Sequence, residues 1–193
     1  MAALIFFTGC RPTAKVTRTD PQETTDLSGR WNETDARMVS EEMISDAMTK
    51  PWLNQYSREH QTQPVVIVGN VRNESMEHID TEVITKEIER AFVNSGSVSV
   101  VASSDERSEI RQERMEQQQF ASTETMKAMA QELGADFMLI GNISSIVDET
   151  PSGRTVSVFY TVNMELINVE TNQKVWIGNK KIKKIVERRN FRG

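Results

Sequence analysis

Apolar and polar residues alternate with a period of two over the stretch from Val156 to Val169. Val156, Val158, Tyr160, Val162, Met164 and Leu166 fall on one side, and Ser157, Thr161, Asn163 and Glu165 on the other. That period predicts a strand with one buried face; Phe159, Ile167 and Val169 break it. The preceding run, Phe137 to Val147, carries apolar residues on both sides, Phe137, Leu139 and Ile143 against Met138, Ile140 and Ile146. Burial on both faces predicts a central strand. A third strand starts near Gln173 and runs through Trp176, Ile177 and Gly178 into a lysine-rich end. Pro151-Ser152-Gly153 and Glu170-Thr171-Asn172 supply turn chemistry between the three.

Upstream, the pattern turns helical. Ala36, Val39, Met43 and Ala47, widened by Ile44 and Met48, form a stripe at helical spacing. Asn32 or Thr34 can cap this helix, acidic residues favour its first turn, and Pro51 is expected to stop it. Leu53 to Gln63 reads as a polar connection. Val65-Val66-Ile67-Val68 is a β-branched run that fits an interior strand continuing to Val71, with a loop from Arg72 to Ile79. Asp80 then caps a helix whose inner face is Ile84, Ile88, Ala91 and Phe92, closed by Gly96. Val98, Val100 and Ala102 make a short strand. Ser103 and Glu106 have capping-box spacing at the head of a very polar helix, Asp105 to Gln119. Thr123 to Leu133 shows one more amphipathic stripe, Met126, Met129, Ala130 and Leu133. The order α, β, α, β, α(α), β, β, β predicts an α/β (α+β) fold, a mixed sheet of four to five strands packed with helices.

At 193 residues and 37% hydrophobic content the chain can bury one sizeable core. A net charge of -5 gives no bulk electrostatic footprint for nucleic acid. No apolar run reaches the roughly 20 residues of a membrane-spanning helix. The chemistry inventory is sparse. His60 and His78 stand alone, without a second histidine at ligand spacing, so no metal site is implied. The nine glycines form no phosphate-cradling loop or dinucleotide fingerprint, and no cofactor is implied. There is no nucleophile-elbow motif. Lys180, Lys181, Lys183, Lys184, Arg188, Arg189 and Arg192 crowd the C-terminus. Lysines that keep an edge strand soluble account for that cluster; a nucleic-acid contact would want stacking aromatics, and only Phe191 is near.

The lone cysteine, Cys10, follows a short apolar run. Phe7-Thr8-Gly9-Cys10 resembles the end of a bacterial lipoprotein signal peptide, departing from it where leucine is usual at Phe7. That resemblance implies removal of residues 1–9 and lipidation of Cys10. Arg11 to Asp26 has the composition of a flexible tether. Its roughly 16 residues reach at most about 55 Å. The globular domain is then expected over residues 27–193.

Two groups of motifs carry a second resemblance. Asp26-Leu27-Ser28-Gly29-Arg30-Trp31-Asn32-Glu33-Thr34-Asp35, with Met38-Val39-Ser40-Glu41-Glu42-Met43-Ile44, is similar to the opening signature of the LpoB family. Gly134-Ala135-Asp136-Phe137-Met138-Leu139-Ile140-Gly141, Phe159-Tyr160 and Lys174-Val175-Trp176-Ile177-Gly178 are similar to its later motifs. The resemblance implies a domain like the N-terminal domain of TolB, lipid-anchored in the outer membrane and facing the periplasm. It implies a non-enzymatic role: activating a bifunctional class A penicillin-binding protein in cell-wall synthesis. A structural lipoprotein of an outer-membrane assembly or secretion complex, of the CsgG type, is the alternative. Partner contacts are expected at Arg30, Trp31, Arg154, Tyr160 and Trp176, because arginine and aromatic side chains dominate interface energetics. Trp31 and Trp52 can instead pack the helix ends onto the core.

Overall fold

The computed structural model describes residues 16–118 and 134–188. Cys10, the stripe from Thr123 to Leu133, and Arg189 and Arg192 lie outside the described residues. Helix α1, Glu33–Thr49, begins at a reciprocal cap. The Asn32 side chain accepts from the Asp35 N–H at 3.1 Å, and Asp35 Oδ2 accepts from the Asn32 N–H at 3.0 Å.

Pro51 does not simply end a helix. Lys50, the residue before it, is pushed into extended backbone (φ -81°, ψ 157°), and Pro51 opens a second helix, α2, Pro51–His60. The expected polar connection from Leu53 is thus corrected to helix. Only Trp52 and Leu53 of α2 are buried, so its apolar stripe is too brief to show in the sequence. Trp52 Nε1 donates to the Ala47 carbonyl at 2.7 Å and closes the end of α1. Trp52 and Tyr56 both meet Phe137 edge-on, with centroids 5.3 and 5.4 Å apart.

Strand β1, Val65–Glu74, leads to α3, Glu82–Ser95, and the short β2, Ser99–Val101. The strand runs past the expected Val71 because Arg72, Asn73 and Glu74 still pair with Asn142, Ile143 and Ser144. Helix α4, Ser104–Gln118, starts on the expected capping box. Ser103 N–H donates to Glu106 Oε2 at 2.8 Å, and Glu106 N–H donates to Ser103 Oγ at 3.4 Å. Then come β3, Phe137–Glu149, β4, Thr155–Asn168, and β5, Lys174–Glu187. The sheet order is β2-β1-β3-β4-β5. Pairing is parallel from β2 through β3 and antiparallel from β3 through β5.

The sheet is mixed, as expected, and β3 is central. Its burial, however, is one-sided. Phe137, Leu139 and Ile143 are 3%, 3% and 0% exposed, whereas Met138 is 38% and Ile146 67% exposed. Helices α1 and α3 lie on the buried side, where Met43, Ala47, Ile88 and Phe92 meet Leu139, Met164 and Trp176. Side chains buried as completely as Tyr160, Met164 and Leu166 each stabilise the fold by about 1.5–3 kcal/mol. Helix α1 reaches β5 only because position 178 is glycine. A Cβ there would stand 2.3 Å from Trp176 Cζ2 and 2.7 Å from Met43 Sδ.

Candidate functional site

Because the described helices α1 and α3 take one side of the sheet, the residues alternating with the core face outward, and the register sets them in rows. Asn142, Asn163 and Asn179 sit side by side on β3, β4 and β5. Their amides donate in one direction: Asn179 to Asn163 Oδ1 at 2.5 Å, Asn163 to Asn142 Oδ1 at 3.4 Å, and Asn142 to Glu74 Oε2 at 2.6 Å. The next row is Ser144, Thr161 and Lys181, and the one after it Ile146, Phe159 and Lys183. On the other side of the asparagines stand Ile140, Glu165 and Ile177. The face therefore holds a polar ladder between two apolar bands. Ile146, Ile177 and Ile185 are 67%, 61% and 63% exposed. Isolated exposed isoleucines are ordinary; these three share the face that the described helices leave open, spread along its length.

The lysine cluster divides by face. On the helix side Lys180 pairs with Glu42, and Lys184 with Asp26 and Asp35 at 2.5 and 2.6 Å. Lys174 pairs with Glu165 at 2.7 Å and Arg188 with Glu149 at 3.3 Å. Lys181 and Lys183, both exposed on the open face beside Phe159 and Thr161, have no ion-pair partner among the described residues.

Three of the residues singled out in the sequence converge, at the back of the sheet. Tyr160, fully buried, donates its hydroxyl to Glu77 Oε1 at 2.6 Å. The backbone N–H of Trp31 donates to the other oxygen of the same carboxylate at 3.1 Å, and its ring meets Tyr160 edge-on at 5.4 Å. Arg30 gives its carbonyl to Lys184 Nζ at 3.0 Å while its side chain is exposed. Arg154 lies apart, exposed in the β3–β4 turn, where its carbonyl accepts from the Arg188 N–H at 2.8 Å. Trp176 also lies apart, 5% exposed, with Nε1 donating to Asp46 Oδ2 at 2.8 Å. Tyr160 and Trp176 thus present their side chains to the core, whereas Arg30 and Arg154 present theirs to solvent.

Titration at this junction follows from burial and pairing. Burial, with the Glu77 carboxylate beside it, raises the Tyr160 hydroxyl above its ordinary range. Burial would lower the Lys184 ammonium, but hydrogen bonds to Asp26 and Asp35 outweigh it and leave the group raised. Asp35 is raised by burial, and Asp26, at the surface, is lowered by its bond from Lys184. Sequence reasoning missed Glu77 and Asp35, and placed Lys184 on the surface. It also passed over the asparagine ladder, although Phe159 breaking the polar side of β4 was the visible signal of a contact surface. Among the described residues, no group of three or more His, Cys, Asp or Glu side chains is placed to hold a metal ion.

No curated protein matches the sequence. Among solved structures, the LpoB C-terminal domain from Escherichia coli is similar at 19% identity and a TM-score of 0.45, covering 80% of this chain and 99% of that one. The LpoB C-terminal domain from Salmonella enterica is similar at 18% identity and a TM-score of 0.39, covering 68% and 93%. Lipoprotein GNA1162 from Neisseria meningitidis is similar at 14% identity and a TM-score of 0.40, covering 66% and 87%. A family model described as peptidoglycan-synthase activator LpoB matches residues 35–182, a span from the Asp35 cap to Ile182 of β5, and on that match the chain belongs to the LpoB family.

Proposed function

We propose that this protein is a lipid-anchored periplasmic regulator that docks on a class A penicillin-binding protein and stimulates its peptidoglycan synthesis, without chemistry of its own. The observation that carries the reading is the sheet face that the described helices leave uncovered. It offers exposed Ile146, Ile177 and Ile185, the Asn142–Asn163–Asn179 ladder, and two lysines without ion-pair partners among the described residues. That composition suits a protein partner with an apolar patch and an acidic rim, because apolar burial supplies affinity and complementary charge supplies orientation and rate. Arg154, exposed in the β3–β4 turn, extends the positive border of this contact. In this reading Cys10 carries the acyl chains, which hold the protein to the outer membrane, and the tether leaves the domain free to reach the synthase.

The test is a purified polymerisation assay with the soluble domain titrated onto a class A synthase from the same organism. The reading expects glycan polymerisation to rise to a plateau. An unchanged rate at saturating domain, or a domain that does not bind the synthase at all, would remove it. Metabolic labelling with a palmitate analogue, compared between the native sequence and Cys10→Ser, tests the anchor separately.

A further inference from the structure

The strap that enters α1 is held in two different ways. Its root, Arg30 to Asn32, is fixed from inside by the Lys184 bond to the Arg30 carbonyl, the Glu77 bond to the Trp31 N–H, and the Asn32 cap. The part before it, Pro21 to Gly29, is held at the surface. Arg37 Nη2 donates to the Gln22 carbonyl at 3.4 Å, Asn32 Nδ2 donates to the Thr25 carbonyl at 3.1 Å, and Asp26 Oδ1 accepts from Lys184 at 2.5 Å. Leu27, its one large apolar side chain, is 92% exposed and anchors nothing.

Lys184 does not depend on Asp26. The Lys184 side chain is 8% exposed and its ammonium sits 2.6 Å from Asp35, whose side chain is 5% exposed, with the Arg30 carbonyl at 3.0 Å. If Asp26 leaves, no buried charge is orphaned, which is the usual reason such a contact would be permanent. What is lost is an ion pair exposed at its carboxylate end, with the bond that Asn32 Nδ2 donates to the same oxygen at 2.8 Å, and salt screens such a contact from that exposed end. The boundary between the two parts is Gly29. It has φ +69°, and a Cβ there would stand 2.1 Å from Val186 Cγ2, so the strap seats on β5 only through a residue without a side chain.

From these contacts we infer that Pro21–Gly29 is a releasable length of tether, latched on the fold by Asp26 and detaching as a unit about Gly29 while the sheet, α1 and the Tyr160–Glu77–Trp31 junction remain closed. Tension on the chain or raised ionic strength opens it. The consequence, which rests on the anchoring proposed above, is reach. Release adds up to about 30 Å of contour to the tether, so the domain can follow a partner whose distance from the membrane varies.

The test uses the full chain with Cys10→Ser and spin labels at Leu27→Cys and Glu59→Cys, positions exposed on the strap and on α2. At low salt the latched strap gives one narrow distance. Adding Asp26→Asn, or about 0.5 M salt, is expected to raise a broad, longer-distance population at least tenfold, with the thermal midpoint and near-ultraviolet dichroism unchanged. Gly29→Val, which blocks seating, is expected to give the long population alone on a folded domain. A single unchanged distance in Asp26→Asn and in high salt would overturn the proposal, as would a strap that separates only when the whole domain unfolds. The measurement is made in solution without synthase or membrane, so its outcome is independent of whether the synthase responds.

Discussion

The hydroxyl of Tyr160 on β4 donates to the carboxylate of Glu77, 83 positions upstream, at 2.6 Å. The same carboxylate holds the backbone of Trp31, so one acidic side chain ties the loop before α3, the middle of the sheet and the entry to α1. Removing the donor leaves a partly buried carboxylate short of a bond. Tyr160→Phe is therefore expected to cost about 1.5–3 kcal/mol, the range for a hydrogen bond to a charged group. A urea midpoint equal to the parent's would show that the bond contributes nothing.

The same junction sets a pH dependence on the alkaline side. Tyr160 is raised from 10.0 and Lys184 from 10.5 in the folded protein. For both, the protonated form is favoured by the fold, so their contribution is fully present below the unfolded values and is lost as pH rises through the folded ones. Stability should fall above about pH 10, and the fall should be shallower in Tyr160→Phe. Urea unfolding at intervals from pH 8 to 12 measures it, and parallel curves for the two proteins would contradict the assignment to Tyr160.

Position 178 tests how closely α1 must approach β5. A Cβ there runs into the rings of Trp176 and the sulfur of Met43, which α1 presents from above. Gly178→Ala is expected to cost about 1–3 kcal/mol through overpacking. For a domain of this size that is a fall of roughly 2–4 °C in melting temperature per kcal/mol. A variant that melts with the parent would mean that the helix moves away freely.

Much of this architecture was legible because burial here is periodic. The alternation of Val156 to Leu166 placed β4, the stripe of Ala36, Val39, Met43 and Ala47 placed α1, and the Ser103 and Glu106 spacing placed the start of α4. What failed did so for physical reasons. Helix α2 buries only Trp52 and Leu53, so its composition is that of a loop, and a proline taken as a stop is at its first turn. Strand β3 reads as doubly buried because Met138, Ile140 and Ile146 are apolar, yet they face outward. An apolar residue on a contact surface and one in a core look alike in a sequence. The latch was hidden for the opposite reason: Lys184 belongs by composition to a surface cluster, and only the approach of Asp26 and Asp35, more than a hundred positions away, takes it inside.

The open face carries the prediction on which the function turns. Lys181 and Lys183 touch no acidic side chain among the described residues, so reversing them breaks no described ion pair. Lys181→Glu with Lys183→Glu is expected to leave the melting temperature within about 2 °C of the parent's, as for surface changes away from packed features. Binding to the synthase should weaken tenfold or more, chiefly through slower association, since like charges facing an acidic rim oppose encounter. Phe159→Ala, between Ile146 and Lys183 in its row, should weaken binding through faster dissociation instead, because it removes apolar contact rather than steering. Reversing the matching lysines on the helix side would not separate these effects, since Lys180 and Lys184 are tied to Glu42, Asp26 and Asp35 and their loss would disturb the fold itself. Association and dissociation rates measured on immobilised synthase at two salt concentrations read both effects at once. If the charge-reversed protein binds and stimulates as the parent does, the synthase docks elsewhere, and the side of β3, β4 and β5 that the described helices leave uncovered would require a different occupant.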